Sequence, residues 1–553
     1  MTTTATRTQG TSVATEQLKF DGGAAVDVDA LIIGAGFSGV RTLIEIRRLG
    51  LSATVIEAGT DVGGTWYWNR YPGARTDSQS WVYGFQMPEL RNEWRWNEKF
   101  STQPQTQAYL QLVAEKFDLR KDIKFSTRVS AASYDEESNV WSVTTDDGKT
   151  TTCRFFIMAT GQLSLPYIPD FPGQESFTGE WFQTQNWPKG GIDFTGKRVA
   201  IIGTGATAVQ VIPLVAKEAG HLTVFQRTPN YVLPSRNDAL SDEDVKEIRR
   251  DFDEIFARAR MQPFGMDIPP LAGRTGEECT PEEAQQVLER GWEYGGFRFL
   301  FETFDDLLTS DKTNKLATDF IRNKIRSIVT DPETAELLCP KDYPLAAKRP
   351  PLGHYYYETF NRPTVSLVDI SQNPITVTEN GLRVGEEDYD VDVVITATGY
   401  DAITGTIDQI DITGRNGSKL KNKWTEGPRT HVGMTVDEFP NMFMIAGPQT
   451  PFANIPVVSE VCAEWVADLL REMSKRGSSR AEARPEAVEA FTQLTEAVVD
   501  ATVLRQGGKH SWYLGTNIPG KPAKAVMWLG GVGSFREACD ADIAEGYAGL
   551  EIS

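Results

Sequence analysis

Cysteine and histidine are scarce in this chain: 553 residues contain five of one and four of the other. Cys153, Cys279, Cys339, Cys462 and Cys539 lie far apart and form no CxxC, which argues against a disulfide scaffold, a paired-thiol reductase and a zinc site. His221, His354, His431 and His510 show no metal-ligand spacing, so no metal is expected. No apolar run is long enough to span a bilayer, and none near the N-terminus reads as a secretory leader. Positive charge is also short: 56 Lys and Arg face 76 Asp and Glu, a formal net charge of −20. Such a surface repels phosphate backbones and offers anionic lipid nothing, so neither nucleic acid nor membrane is expected as a partner. The unpaired thiols suit a reducing cytoplasm.

The chain is too long for one core, and its patterning suggests how it divides. Residues 1–25 are rich in Thr, Ser and Gly and read as a disordered arm. Val26 to Gly34 is a buried-strand pattern, Ser38 to Leu49 a helix, and Ser52 to Glu57 a second strand, which together make a βαβ unit. A second unit starts at Lys197, runs a helix from Val209 to Ala219, and returns with LTVFQ. From 240 to 328 the pattern turns to amphipathic helices. Ser241 with Asp244, and Thr280-Pro281 with Glu283, are spaced as helix starts.

Chemistry enters with the glycines. Gly34, Gly36 and Gly39 form GxGxxG between strand and helix, which brings a pyrophosphate close to backbone and to a helix N-terminus. Glu57, at the end of the next strand, is placed to bind ribose hydroxyls. Gly203, Gly205 and Ala208 repeat the fingerprint with Ala third, and Gln226 followed by Arg227 stands where Glu57 stood. A neutral residue beside an arginine suits a 2′-phosphate, so the second nucleotide is expected to be NADPH. Ala159-Thr160-Gly161 and Ala397-Thr398-Gly399 each end a strand pattern, and a plain turn glycine explains them as well as any function does.

The order of these motifs resembles the type I Baeyer–Villiger monooxygenases, in particular the cyclohexanone monooxygenase branch, from about Asp27 to the end. The stretches that carry the likeness include GGTWYWNRYPGARTDS, KRPPLGHYYYETFNR, TATGYDAITG and SWYLGTNIPGKP. Gly63, Gly64, Trp66, Tyr71, Pro72, Gly73 and Asp77 fill the family's longer signature. Its shorter one is met by Phe177, Gly179, Trp187 and Pro188, but Gln183 replaces a histidine. Gln cannot carry charge, which puts a pH-dependent role for that position in doubt.

The resemblance implies an α/β fold of two Rossmann-like dinucleotide-binding domains, for FAD and NADP, with a helical insertion. Expected boundaries are 26–160 with 386–553 for FAD, 161–239 with 329–385 for NADP, and 240–328 for the insertion. In two-nucleotide flavoproteins, segments like the two ATGs mark crossings between these domains. Glu57, Thr65, Trp66, Asp77, Tyr83, Val129 and Gln162 then match FAD contacts. Thr207 to Gln210, Arg227, Thr228 and Lys348 match NADP contacts, and Trp512 matches a cover over the nucleotide. Arg349 matches the family's active-site cation and Asp77 its carboxylate partner. The implied reaction takes a ketone, O2 and NADPH to an ester or lactone through a peroxyflavin, with no required protein partner. Phe264, Phe452 and Ile455 are candidates for the ketone pocket, and the ketone itself is unspecified. Two other readings stand beside this one: a related flavin monooxygenase acting on amines or sulfides, and a non-catalytic nucleotide-binding sensor.

Overall fold

The computed structural model describes residues 16–20 and 24–553. Two sheets frame it, each built around one fingerprint strand. The first contains β1 (Val28–Ile33), β2 (Ala53–Ile56) and β3 (Thr150–Met158), with β1 parallel to both neighbours. Its order is Asp411–Thr413, Val129–Asp135, Val140–Thr145, β3, β1, β2, Ile123–Lys124, and Met442–Met444 also pairs with β3. Ala30 and Ile32 join the core beneath α1 (Phe37–Arg48), whereas Leu31 and Ile33 join another core on the opposite face. A strand covered on both faces needs no polar alternation, so β1 is hydrophobic without a break from Ala30 to Ile33.

The second sheet repeats the plan with β4 (Arg198–Ile202), α2 (Ala206–Glu218), β5 (His221–Gln226) and β6 (Val393–Thr396). Its order is Val365–Asp369, β5, β4, β6, Glu180–Gln183, all parallel. Val199 and Ile201 face one core and Ala200 and Ile202 another. α2 begins three residues before the sequence pattern suggests, because the fingerprint residues themselves form its first turn.

The repeat extends to single atoms. Gly34 and Gly203 have φ of +97° and +114°, and a Cβ on either would stand 2.5 Å from a carbonyl oxygen, that of Ala159 or of Ala397. Each ATG therefore closes the strand beside a fingerprint and packs its alanine carbonyl on the first glycine. After Ala159 the chain leaves the first sheet for the second, and after Ala397 it returns. The turn reading and the crossing reading of ATG describe the same feature.

The insertion is helical, with Asp242–Arg250, Phe252–Ala259, Pro281–Tyr294 and Asp311–Ile328 as its main helices. Both expected starts are capping boxes, Ser241 with Asp244 and Thr280 with Glu283. Val287, Leu288, Trp292 and Phe320 share one core with Val199 and Ile201, so these helices form a layer on the second sheet instead of a separate body.

Two expected boundaries move. The return to the first unit does not fall at 386, because β6 pairs in register with β4 and belongs to the second sheet. Within the expected arm, residues 16–20 are docked: Glu16 pairs with Arg471 at 3.0 Å and the Phe20 ring meets Phe155. Residues 1–15 and 21–23 lie outside the described residues. Among the described residues no helix is long and apolar enough to cross a membrane.

A Cβ on Gly39 would run into the Gly34 carbonyl, whereas one on Gly205 meets nothing within 4 Å. Gly39→Ala should cost about 3 kcal/mol or more, or prevent soluble expression. Gly205→Ala should leave the thermal midpoint nearly unchanged. Thermal denaturation of both variants checks the contrast, and equal losses would contradict it.

Candidate active site

Arg349 stands where the two units and the insertion meet. The segment leading to it is held by Asn314 of the insertion, which donates to Leu345 O at 3.0 Å and accepts from Leu345 N at 2.9 Å. Ala346 is in the left-handed region at φ +70°, a strain the surrounding bonds maintain. Ser511 donates to Ala347 O at 3.0 Å, and Asn230 to Arg349 O at 3.3 Å.

From this backbone, Arg349 Nε and Nη2 both donate to Asp77 Oδ2, at 2.8 and 2.7 Å. The guanidinium faces the Phe297 and Phe452 rings at 5.0 Å each and Phe264 at 5.8 Å. The Trp512 ring closes edge-on against Phe452 at 4.4 Å. Burial opposes the charge on Arg349, but Asp77 and then Tyr513 outweigh it, and its pKa is raised. The pair thus fixes a permanent cation in an enclosure of low polarity. Deleting one partner would strand the other, at a cost of about 3–5 kcal/mol. Arg349 Nη1 has no hydrogen-bond partner among the described residues.

Tyr83 joins the first cradle to this pair: its ring meets Trp66 at 5.5 Å, and its hydroxyl, pushed up by burial, feels both Asp77 and Arg349. Trp66 and Thr65 open a short helix after Gly63-Gly64, and Gly64 packs on Gly36. Glu57 accepts from Ala35 N at 2.7 Å and Gly59 N at 2.6 Å, and its burial raises its pKa. Thr127 N donates to the Glu57 carbonyl, which brings Val129, at the start of its strand, close to this strand end. Gln162 directs Nε2 to Thr450 at 3.3 Å, while its buried Oε1 has no partner among the described residues.

The second cradle is more open. Gly205 and Ala206 are exposed at the start of α2, which, like α1, has no side-chain cap. Ala208 is fully buried against its sheet. Lys348 lies over the Tyr343 ring at 4.4 Å. Burial and then the like charge of Arg227 bring its pKa down to about 8, outweighing Asp342. Two mutually repelling cations beside this cradle are an arrangement that suits an anion. Uncapped helix starts, an open glycine and this cation pair fit a dinucleotide on each sheet.

Some expected contacts have other duties. Gln226 is buried, with Nε2 bonded to Leu337 O at 2.8 Å. Gln210 accepts from Tyr71 at 2.9 Å and donates to Arg75 O at 3.1 Å, fastening α2 to the aromatic loop, and Thr207 reaches the same Tyr71 hydroxyl. Thr228 contributes its carbonyl to Thr204 at 2.8 Å. Gln183 lies on the edge strand opposite Thr396, beside the second crossing. Ile455 packs against the core of the first sheet.

Phe297 and Tyr513 were absent from the expected set. Tyr513 lies inside SWYLGTNIPGKP and Phe297 inside the segment GGFRFLFETF, but nothing in a one-dimensional pattern distinguishes the phenyl that faces the cation there from its neighbours.

A family model described as flavin-binding monooxygenase-like matches residues 28–253. A Baeyer–Villiger monooxygenase of Pseudooceanicola batsensis is 40% identical over 544 residues, covering 98% of both chains. Cyclohexanone 1,2-monooxygenase of an Acinetobacter species is 41% identical, covering 95% of this chain and 97% of its own. Among solved structures, OTEMO in complex with FAD and NADP superposes with a TM-score of 0.92 at 38% identity, covering 96% of this chain and 100% of that one. A closed crystal structure of cyclohexanone monooxygenase gives 0.92 at 39% identity, covering 95% and 99%.

The lowered Lys348 pKa has a consequence for binding. An adjoining phosphate raises that pKa, so Lys348 contributes fully to affinity below about pH 8 and loses its contribution as pH rises through and above that value. Affinity for NADP+ should fall about tenfold between roughly pH 7 and pH 9, and Lys348→Met should flatten that dependence. Titration calorimetry across pH, with NAD+ as control, checks it. A pH-independent affinity in the parent protein would contradict the assignment.

Proposed function

The chain belongs to the family of Baeyer–Villiger monooxygenases, and we infer that its Arg349 site converts a ketone to an ester or lactone with FAD, NADPH and O2. One observation carries this reading: a buried Arg349–Asp77 pair, enclosed by phenyl rings, stands at the meeting point of two dinucleotide cradles. Bound FAD, reduced by NADPH, supplies the activation of dioxygen.

The protein's own groups supply position and charge. Gly34, Gly36, Gly39 and the start of α1 take the FAD pyrophosphate, and Glu57 takes ribose hydroxyls. Thr65, Trp66, Tyr83, Val129 and Gln162 line the rest of that cradle. Gly203, Gly205, Thr207, Ala208 and Gln210 form the NADPH cradle, and Arg227, Thr228 and Lys348 receive the 2′-phosphate. Trp512 covers the nucleotide from the C-terminal segment. Arg349 keeps its charge throughout turnover, since Asp77 more than offsets the burial that opposes a charged guanidinium. Its free Nη1 offers a donor to negative charge developing on the ketone oxygen. Phe264, Phe297 and Phe452 exclude water, which strengthens that contact and discourages release of reduced oxygen. The reaction needs no protein partner, and a reducing cytoplasm suits the five free cysteines.

The assay is NADPH oxidation by the FAD-loaded protein against linear, cyclic and aryl ketones, with products identified by mass. Amines and sulfides serve as the comparison class, and their exclusive oxygenation would overturn the ketone reading. Arg349→Ala should retain FAD and lower ester formation about a hundred- to a thousandfold, with residual NADPH oxidation appearing as hydrogen peroxide. Near-normal ester yield from that variant would remove Arg349 from the reacting centre.

A further inference from the structure

Away from Arg349, the interior holds a second group of charges that the reaction does not use. Arg41 and Glu45 come from α1, Glu460 and Glu464 from α3 (Ile455–Arg476), and Arg260 from the end of an insertion helix. Arg260 Nη1 and Nη2 reach the two oxygens of Glu464 at 2.8 and 2.7 Å, and Nη2 reaches Glu460 at 3.4 Å. Glu460, with no exposed surface, also takes Arg41 at 3.2 Å and the Gln86 amide at 2.9 Å, and Arg41 bonds Glu45. Ion clusters of this kind add little net stability over an apolar core of the same shape, but a fork-to-carboxylate contact fixes orientation.

What this contact orients is visible four residues later. Gln262 Oε1 accepts from Phe264 N at 2.7 Å and Met266 N at 3.1 Å, which closes a tight turn. Asn454, just before α3, donates its own N–H to Phe264 O at 2.9 Å and its Nδ2 to Gly265 O at 2.9 Å. The turn is therefore fastened to α3 at two places, Arg260 and Phe264–Gly265. Its one ring facing Arg349 is Phe264, which also meets Phe301 at 4.9 Å and Phe297 at 6.0 Å. The insertion reaches the reacting centre through this turn and through Phe297, and the turn is the part that the clamp holds.

We propose that Arg260 is a specificity-determining positioning residue: its fork on Glu464 and Glu460 sets where Phe264 stands against Arg349, and so which ketone sizes the site admits. The proposal rests on the ketone reading above. Arg260→Lys keeps the charge and loses the fork, and Glu464→Gln weakens the same contact from its more exposed end. Each should change the ratio of kcat/KM for a bulky aryl ketone to that for a small aliphatic one by about fivefold, mainly through KM. The rate of flavin reduction by NADPH should not change. In a Phe264→Ala background the same substitutions should no longer move the ratio, because the residue they act through is gone.

A purely structural clamp would lower thermal stability and leave the ratio alone, and that result overturns the proposal. A ratio shift of equal size in the Phe264→Ala background overturns it as well. Ketone dissociation constants, read from the absorbance of the bound flavin in the holoenzyme, give the same ratio without turnover. A wild-type protein that binds ketones but forms no ester therefore refutes the ketone oxygenation alone, while the clamp is still judged on binding.

Discussion

A guanidinium that cannot shed its proton, held among phenyl rings, is the constraint around which this protein is arranged. Arg349 requires a carboxylate, and the one it uses comes from 272 residues away, on the aromatic loop of the first unit. That single contact requires the two sheets to meet at a fixed separation. It also explains why the loop from Gly63 to Asp77 is so heavily anchored: Tyr71 and Arg75 are tied to Gln210 on α2, and Gly73 packs against the carbonyl of the same residue. Asp77, which pairs with Arg349 at the centre, and Tyr71, Gly73 and Arg75, which join the two cradles, lie in one continuous stretch.

The cradles obey a common rule. In each, a glycine in the left-handed region leaves only enough room for a neighbouring alanine carbonyl, and the strand that supplies the carbonyl is also the last one before the chain crosses to the other sheet. Tight packing at the fingerprint and the change of sheet are thus coupled. A side chain larger than alanine at position 159 would press on α1 as well, since a Cβ at Gly39 would already be 3.6 Å from the Ala159 methyl.

Much of this was legible in the sequence. GxGxxG, the repeat at Gly203, Glu57, Arg227 and the KRPP segment identify both cradles and the cation, because backbone approach and phosphate charge permit few residue types. Two capping boxes in the insertion were readable because few side chains can satisfy the first N–H groups of a helix reciprocally. Side chains serving fold and site at once were harder. Gln226 and Gln210 stand at positions where the pattern leads one to expect nucleotide contacts, yet their amides are tied to Leu337 and to the aromatic loop. Position 386 falls in the turn between two strands of a β-meander, Gly381–Val384 and Glu387–Asp390, and only strand register shows that β6 completes the second sheet. Phe297 and Tyr513 could not be singled out, since orientation toward a cation is a property of packing and not of pattern.

Delivery of one atom of dioxygen to a ketone is the chemistry proposed for the Arg349 enclosure. The most direct measurement is turnover of a ketone substrate under dioxygen enriched in the heavy isotope, with the product's oxygen analysed by mass. One labelled atom per ester, in step with each NADPH consumed, is the predicted result. An ester without label, its inserted oxygen taken from water, or NADPH consumed with peroxide as the only oxygen product for every ketone tried, would contradict it.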